Sequence, residues 1–132
     1  MIPDGFMTKH RNPDLDVLAP DGSEVRVLCS TRRGSMAEFT LRAGAVARAI
    51  RHRSVDEVWY VLRGTGRMWR KQGERTEITE LRPGVSLSIP VGVSFQFRCD
   101  GPEALAVVAM TMPPWPGPEE AVFVPGEWPV PD

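Results

Sequence analysis

Glycine, proline and aspartate interrupt this chain so often that no long apolar stripe of helical period fits between them. Gly34, Gly44, Gly64, Gly73, Gly84, Gly92 and Gly101 fall between, or at the edges of, short runs in which apolar and polar residues alternate. Alternation puts one face of a strand inside and the other in water. From Glu24 the runs predict strands over 24–31, 35–42, 46–52, 57–63, 66–72, 75–81, 85–89, 94–99 and 104–112. Turns recurring at roughly 8–12 residues are the mark of a sandwich or barrel. The expectation is an all-β domain of antiparallel strands folded into two packed sheets that hide most of their edges.

The two ends differ from this middle. Residues 1–23 are broken by Pro3, Gly5, Pro13, Pro20 and the Asp21-Gly22 turn, and read as an N-terminal arm. Residues 113–132 hold seven of the thirteen prolines. Proline lacks the ladder donor, so this tail cannot pair in the middle of a sheet. Yet Trp115, Phe123 and Trp128 each offer about 150–250 Å² for burial. An ordered, extended C-terminal strap is expected, lying on its own barrel (residues 24–112) or on a partner's.

Composition removes several function classes. A chain of 132 residues with 16 basic and 17 acidic side chains suits one domain with no electrostatic footprint for nucleic acid. Fourteen of the basic residues are Arg, scattered among acids. No window approaches the roughly 18 apolar residues that a membrane helix needs. The start, Met1-Ile2-Pro3-Asp4-Gly5, lacks the basic and apolar regions of a signal peptide, so a cytoplasmic protein is expected. Cys29 and Cys99 have no CxxC spacing and read as two reduced, buried thiols.

One segment carries a pattern. It runs Gly44, five residues, Ile50-Arg51-His52, four residues, Glu57, six residues, Gly64. A second runs Gly84, five residues, Pro90-Val91-Gly92, two residues, Phe95, three residues, Cys99. Nineteen residues separate them. These resemble the two signatures of the cupin superfamily, over residues 35–112. Gly44, His52, Glu57, Gly64, Gly84, Pro90 and Gly92 stand where the family has them. Ile50 replaces the first histidine of the family's His-x-His, Phe95 replaces its last histidine, and Cys99 replaces an asparagine. The resemblance implies a double-stranded β-helix, or jelly-roll, barrel. It also implies an interior site that in the family usually holds a transition metal on three imidazoles and one carboxylate.

Two of those four ligands are hydrocarbon here. A catalytic metal ordinarily keeps three protein ligands, and His52 with Glu57 supplies two. No metal or other cofactor is therefore expected. The alternative is one divalent transition metal on His52 and Glu57 alone. Gln96 neighbours Phe95 but faces the other way on a regular strand, and His10, the other imidazole, lies in the arm.

Period two places Val46, Arg48, Ile50 and His52 on one face of strand 46–52. It places Glu57, Trp59 and Val61 together on the next strand, and Phe95, Phe97 and Cys99 on strand 94–99. The expected ligand pocket is Arg48, Ile50, His52, Glu57, Trp59, Phe95 and Phe97. Arg48 could clamp an anion there, or lie solvated at the barrel mouth. Met36, Met68, Met110 and Met112 read as core filler, and Gly64-Thr65-Gly66 as a turn.

Two functions fit this set. One is a protein that binds a small organic molecule in the barrel, as sensor, carrier or accessory domain. The other is an enzyme. His52 and Glu57 then act as an acid/base pair in metal-free lyase or isomerase chemistry, or hold the metal of an atypical oxygenase. Some cupins, notably sugar-nucleotide epimerases, use a His and a Tyr without metal; Tyr60, the one tyrosine, has the parity that faces away from Glu57. A purely structural dimerisation domain is a third, lesser possibility. Val58, Tyr60 and Leu62 make the far face of strand 57–63 apolar as well, which points to a homodimer.

Overall fold

The computed structural model describes residues 5–131; the first four residues of the expected arm and the last of the strap lie outside the described residues. Among the described residues eleven strands form two sheets. They are β1 (Val17–Leu18), β2 (Glu24–Thr31), β3 (Gly34–Leu41), β4 (Ile50–His52), β5 (Asp56–Arg63), β6 (Gly66–Gln72), β7 (Arg75–Leu81), β8 (Ser86–Ile89), β9 (Ser94–Cys99), β10 (Leu105–Met112) and β11 (Ala121–Phe123). One sheet has the order β1-β2-β3-β10-β5-β8 and the other β11-β4-β9-β6-β7. Every pairing is antiparallel. The non-sequential order of both sheets makes this a double-stranded β-helix. None of the described helices is long and apolar enough to cross a membrane.

Between the sheets lies one core, in which Trp59, Val61, Met68, Leu81, Ile89, Phe95, Phe97, Leu105 and Val107 pack together. Strict alternation on β5 shows why: Glu57, Trp59 and Val61 are buried, while Val58, Tyr60 and Leu62 are exposed. Gly64, which ends the first motif, has φ +83°, and a Cβ there would collide with the Ala104 carbonyl. Only glycine combines that conformation with that close approach.

The strand expected over 46–52 forms only at its end. Val46 makes a lone bridge to Arg98, Ala47 N–H donates to Phe97 O, and Arg48 N–H turns away to Asp21 O. Parity is lost at that point: Ala47, Ala49 and Ile50 are all buried and Arg48 is exposed. Of the four methionines expected in the core, Met68 alone is fully buried there; Met110 is exposed on the outer face.

Both flanks are bound to the barrel. Arg26 donates to the Asn12 and Pro13 carbonyls, and Arg11 bonds Glu38, so the arm lies across the outer face of β2 and β3. The tail runs through a 3-10 turn, Pro118–Glu120, into β11, which pairs with β4 at the sheet edge. An edge is where a proline-flanked strand of three residues can pair. Farther on, Gln96 accepts from the Glu127 and Trp128 amides and donates to Ala47 O and Trp128 O.

Candidate functional site

The β4–β5 connection builds the site. His52 ends β4 and Glu57 is the first inward residue of β5, so a short turn brings their side chains together. His52 Nε2 lies 2.7 Å from Glu57 Oε1, with both residues 2% exposed. A carboxylate accepts, so the imidazole proton on this side is held at Nε2. The turn is fixed by the strap: Glu120 accepts from Ser54 N (2.7 Å), Ser54 Oγ (2.5 Å) and Val55 N (3.1 Å). Burial works to raise the Glu120 pKa. The three hydrogen bonds and the charge of His52 outweigh it and leave the carboxyl below its usual range.

Aromatic rings enclose the pair. Phe95 lies 5.3 Å from the His52 ring and Trp115, on the strap, meets it edge-on at 5.5 Å. Trp59 packs at right angles on Phe97 at 4.9 Å and on Phe95 at 6.3 Å. Two polar atoms in this interior, His52 Nδ1 and Trp59 Nε1, are buried and have no hydrogen-bond partner among the described residues.

A third carboxyl belongs to the neighbourhood. Asp21, from the arm, is 7% exposed and accepts from both Ser23 N and Ser23 Oγ. Burial raises its pKa above 3.8, against the two Ser23 bonds; the Glu57 charge adds to the rise and His52 opposes it. Asp21 is thus electrostatically joined to both members of the pair.

Ile50, His52, Glu57, Trp59, Phe95 and Phe97 come together in the barrel interior, each no more than 4% exposed. Arg48 does not join them. Its guanidinium stacks on the Phe123 ring at 3.7 Å, on the outside, because parity breaks one residue earlier. Gln96 faces away from this interior and holds the strap. Trp115, Glu120 and Asp21 escaped the sequence reading. The tail's tryptophans signalled burial without saying against what, and Asp21 was absorbed into an Asp-Gly turn.

These side chains do not fit a metal. His52 Nε2 and Glu57 Oε1 bond each other instead of converging on a shared point, and a phenyl ring stands beside the imidazole. Among the described residues no group of three or more His, Cys, Asp or Glu is placed to hold an ion.

Comparison with known proteins follows the same outline. A family model described as a cupin domain matches residues 37–111, more than half of the chain. The chain is a cupin. Its fold is similar to KdgF from Halomonas sp. at 19% identity and a TM-score of 0.64, covering 76% of this chain and 87% of that one. A double-stranded β-helix protein of Klebsiella pneumoniae matches at 16% identity and a TM-score of 0.65, over 89% and 90% of the two chains. Bacillus subtilis oxalate decarboxylase matches at 16% identity and 0.70, over 84% of this cupin and 30% of that longer chain. At such identities the likeness is one of fold. No curated protein matches the sequence.

Proposed function

We propose that this cupin binds a small polar organic molecule in its barrel, without a metal, between the His52–Glu57 pair and Trp59. The observation that carries the reading is the pair of unpartnered buried atoms, His52 Nδ1 and Trp59 Nε1. Leaving a buried polar group unsatisfied costs about 1–3 kcal/mol, and native interiors rarely tolerate it. A ligand with an acceptor for the indole N–H and a polar atom for Nδ1 recovers that cost, and the surrounding phenyl rings supply apolar contact. Trp115, 38% exposed and edge-on to His52, is the side chain that such a molecule would displace on entry.

A second reading, metal-free acid/base chemistry, is favoured by the 2.7 Å contact between His52 and Glu57. With Nε2–H held by the carboxylate, Nδ1 is the free basic atom facing a ligand, and Glu57 stabilises the imidazolium that forms when Nδ1 takes a proton.

A fragment screen followed by NMR of the indole N–H signals tests both. The expected outcome is a compound that shifts the Trp59 indole signal and loses at least about tenfold in affinity in Trp59→Phe. Hits that leave Trp59 and His52 unperturbed sink the binding reading. If a bound compound is also consumed, Glu57→Gln should suppress turnover while retaining binding; unchanged turnover removes the acid/base role.

A further inference from the structure

A second polar feature opens on the other side of Phe95. Across the ladder Ile50 opposes Phe95, Phe95 opposes Arg70, and Arg70 opposes Glu77. Directly opposed residues share a sheet face. Ile50 and Phe95 are inside, so Arg70 is a cation on the inner face of the barrel. It lies at the gap between β7 and β8, the last strands of the two sheets. Its Nη1 donates to Ser88 O at 2.9 Å across that gap, and its Nη2 to Glu77 Oε1 at 2.8 Å and Thr79 Oγ1 at 3.1 Å. The guanidinium is fixed by these bonds, while its Nε–H is buried without a partner among the described residues.

Beside it is a cleft of about 170 Å³ lined by Arg70, Gln72, Arg75, Glu77, Ser88, Pro90 and Val93. Two guanidinium groups face one carboxylate there, since Arg75 Nη2 meets Glu77 Oε2 at 3.3 Å. One positive charge is left over. The cleft's volume is below the roughly 300–1,000 Å³ of a pocket for a drug-sized ligand, so it suits a smaller molecule. Pro90 and Val93 give one wall an apolar surface. We propose that this cleft binds a small monocarboxylate, its oxygens on the unused N–H groups of Arg75 and the second Nη1–H of Arg70, and its alkyl end on Pro90 and Val93. Arginine's planar fork matches a carboxylate. The Glu77 charge disfavours a dianion such as phosphate. This site is independent of the one at His52, from which Phe95 separates it.

The test is an NMR amide titration of the full chain at pH 7 and constant ionic strength, with acetate, acetamide, chloride and phosphate in parallel. Saturable shifts centred on 70–77 and 88–93 are expected with acetate, and not with the other three. Arg75→Gln should weaken acetate binding by about tenfold, through loss of charge-assisted hydrogen bonds. The Arg75 side chain is 76% exposed, so that variant leaves the fold intact, whereas Arg70→Gln also removes the bridge between sheets. The proposal is overturned by shifts that chloride or acetamide reproduces, by saturation with phosphate in place of acetate, or by unchanged binding in Arg75→Gln.

Discussion

Asp21 is a carboxyl group carried by a tight turn into a place that water hardly reaches, and its cost can be measured. Burial raises its pKa above the ordinary 3.8 in the folded protein. An acid whose folded pKa is raised binds its proton more tightly folded than unfolded. Stability from that term is therefore present at acid pH and lost as pH rises from 3.8 through the folded value. Asp21→Asn keeps an oxygen for Ser23 N and Oγ but carries no charge. The variant should melt a few degrees above the parent at pH 7, and the gain should vanish near pH 3. Equal melting temperatures at pH 7 would show that the Ser23 bonds, not burial, govern this carboxyl. Neither this role nor the site's cover could be read from spacing. His52 and Glu57 were legible because a turn of four residues, crossing from one sheet to the other, fixes their separation in sequence. Asp21 approaches them from more than thirty residues away in the chain, through a turn whose Asp-Gly pair already has a sufficient local explanation. Arg48 was misread for a related reason, since a period-two argument holds only while the ladder is unbroken.

At the scale of elements, the strap explains how a barrel with so few polar groups inside keeps them covered. Its anchors are distributed: Glu120 on the Ser54 turn, three residues of β11 on β4, and Gln96 on Glu127 and Trp128. Arg67 and Arg98 also approach the Trp128 ring, at 5.5 and 5.4 Å. Gly126 is the tight point. A Cβ there would stand 2.5 Å from Gln96 Oε1 and 2.7 Å from the Ala49 Cβ, both parts of a buried, fully bonded arrangement. Gly126→Ala should loosen the end of the strap at a cost of about 1–3 kcal/mol. Hydrogen exchange is the measurement: Val124, Glu127 and Trp128 amides should exchange faster, with β6 and β9 protected as before. Protection unchanged at all three would mean that the strap yields without detaching. Proline content foretold an extended segment excluded from the sheet centre. It could not foretell β11, because three paired residues carry no readable period, nor Trp115 on His52, because the partner lies on a different strand. The eight longer strands, β2, β3 and β5 to β10, were readable because each one's alternation is long enough to be seen without its neighbours.

For the whole molecule, the uncovered part of the outer sheet face is what sets its expected state in solution. The arm covers the β2–β3 half, where Arg11 and Arg26 bury Glu38 to 5% exposure. The other half is left bare: Met36, Val58, Tyr60, Ser86, Ser88, Val108 and Met110 line a shallow concavity of about 480 Å³, and none of them is charged. A two-fold interface sets a patch against its own copy, so an uncharged apolar patch is self-complementary, whereas a charged one repels itself. The predicted state is a homodimer through this face. Stable pairs bury about 800 Å² on each partner, which the bare strands can supply only with Val58, Tyr60 and Met110, each 40–48% exposed, at the centre. Light scattering on the purified chain at micromolar concentration should give twice the 14.7 kDa chain mass. Tyr60→Arg then places two like charges across the axis, and each copy carries the change, so dissociation should be complete while the melting profile of the barrel persists. A parent chain that scatters as a monomer, or a Tyr60→Arg dimer as stable as the parent, would leave this face with no role in self-association.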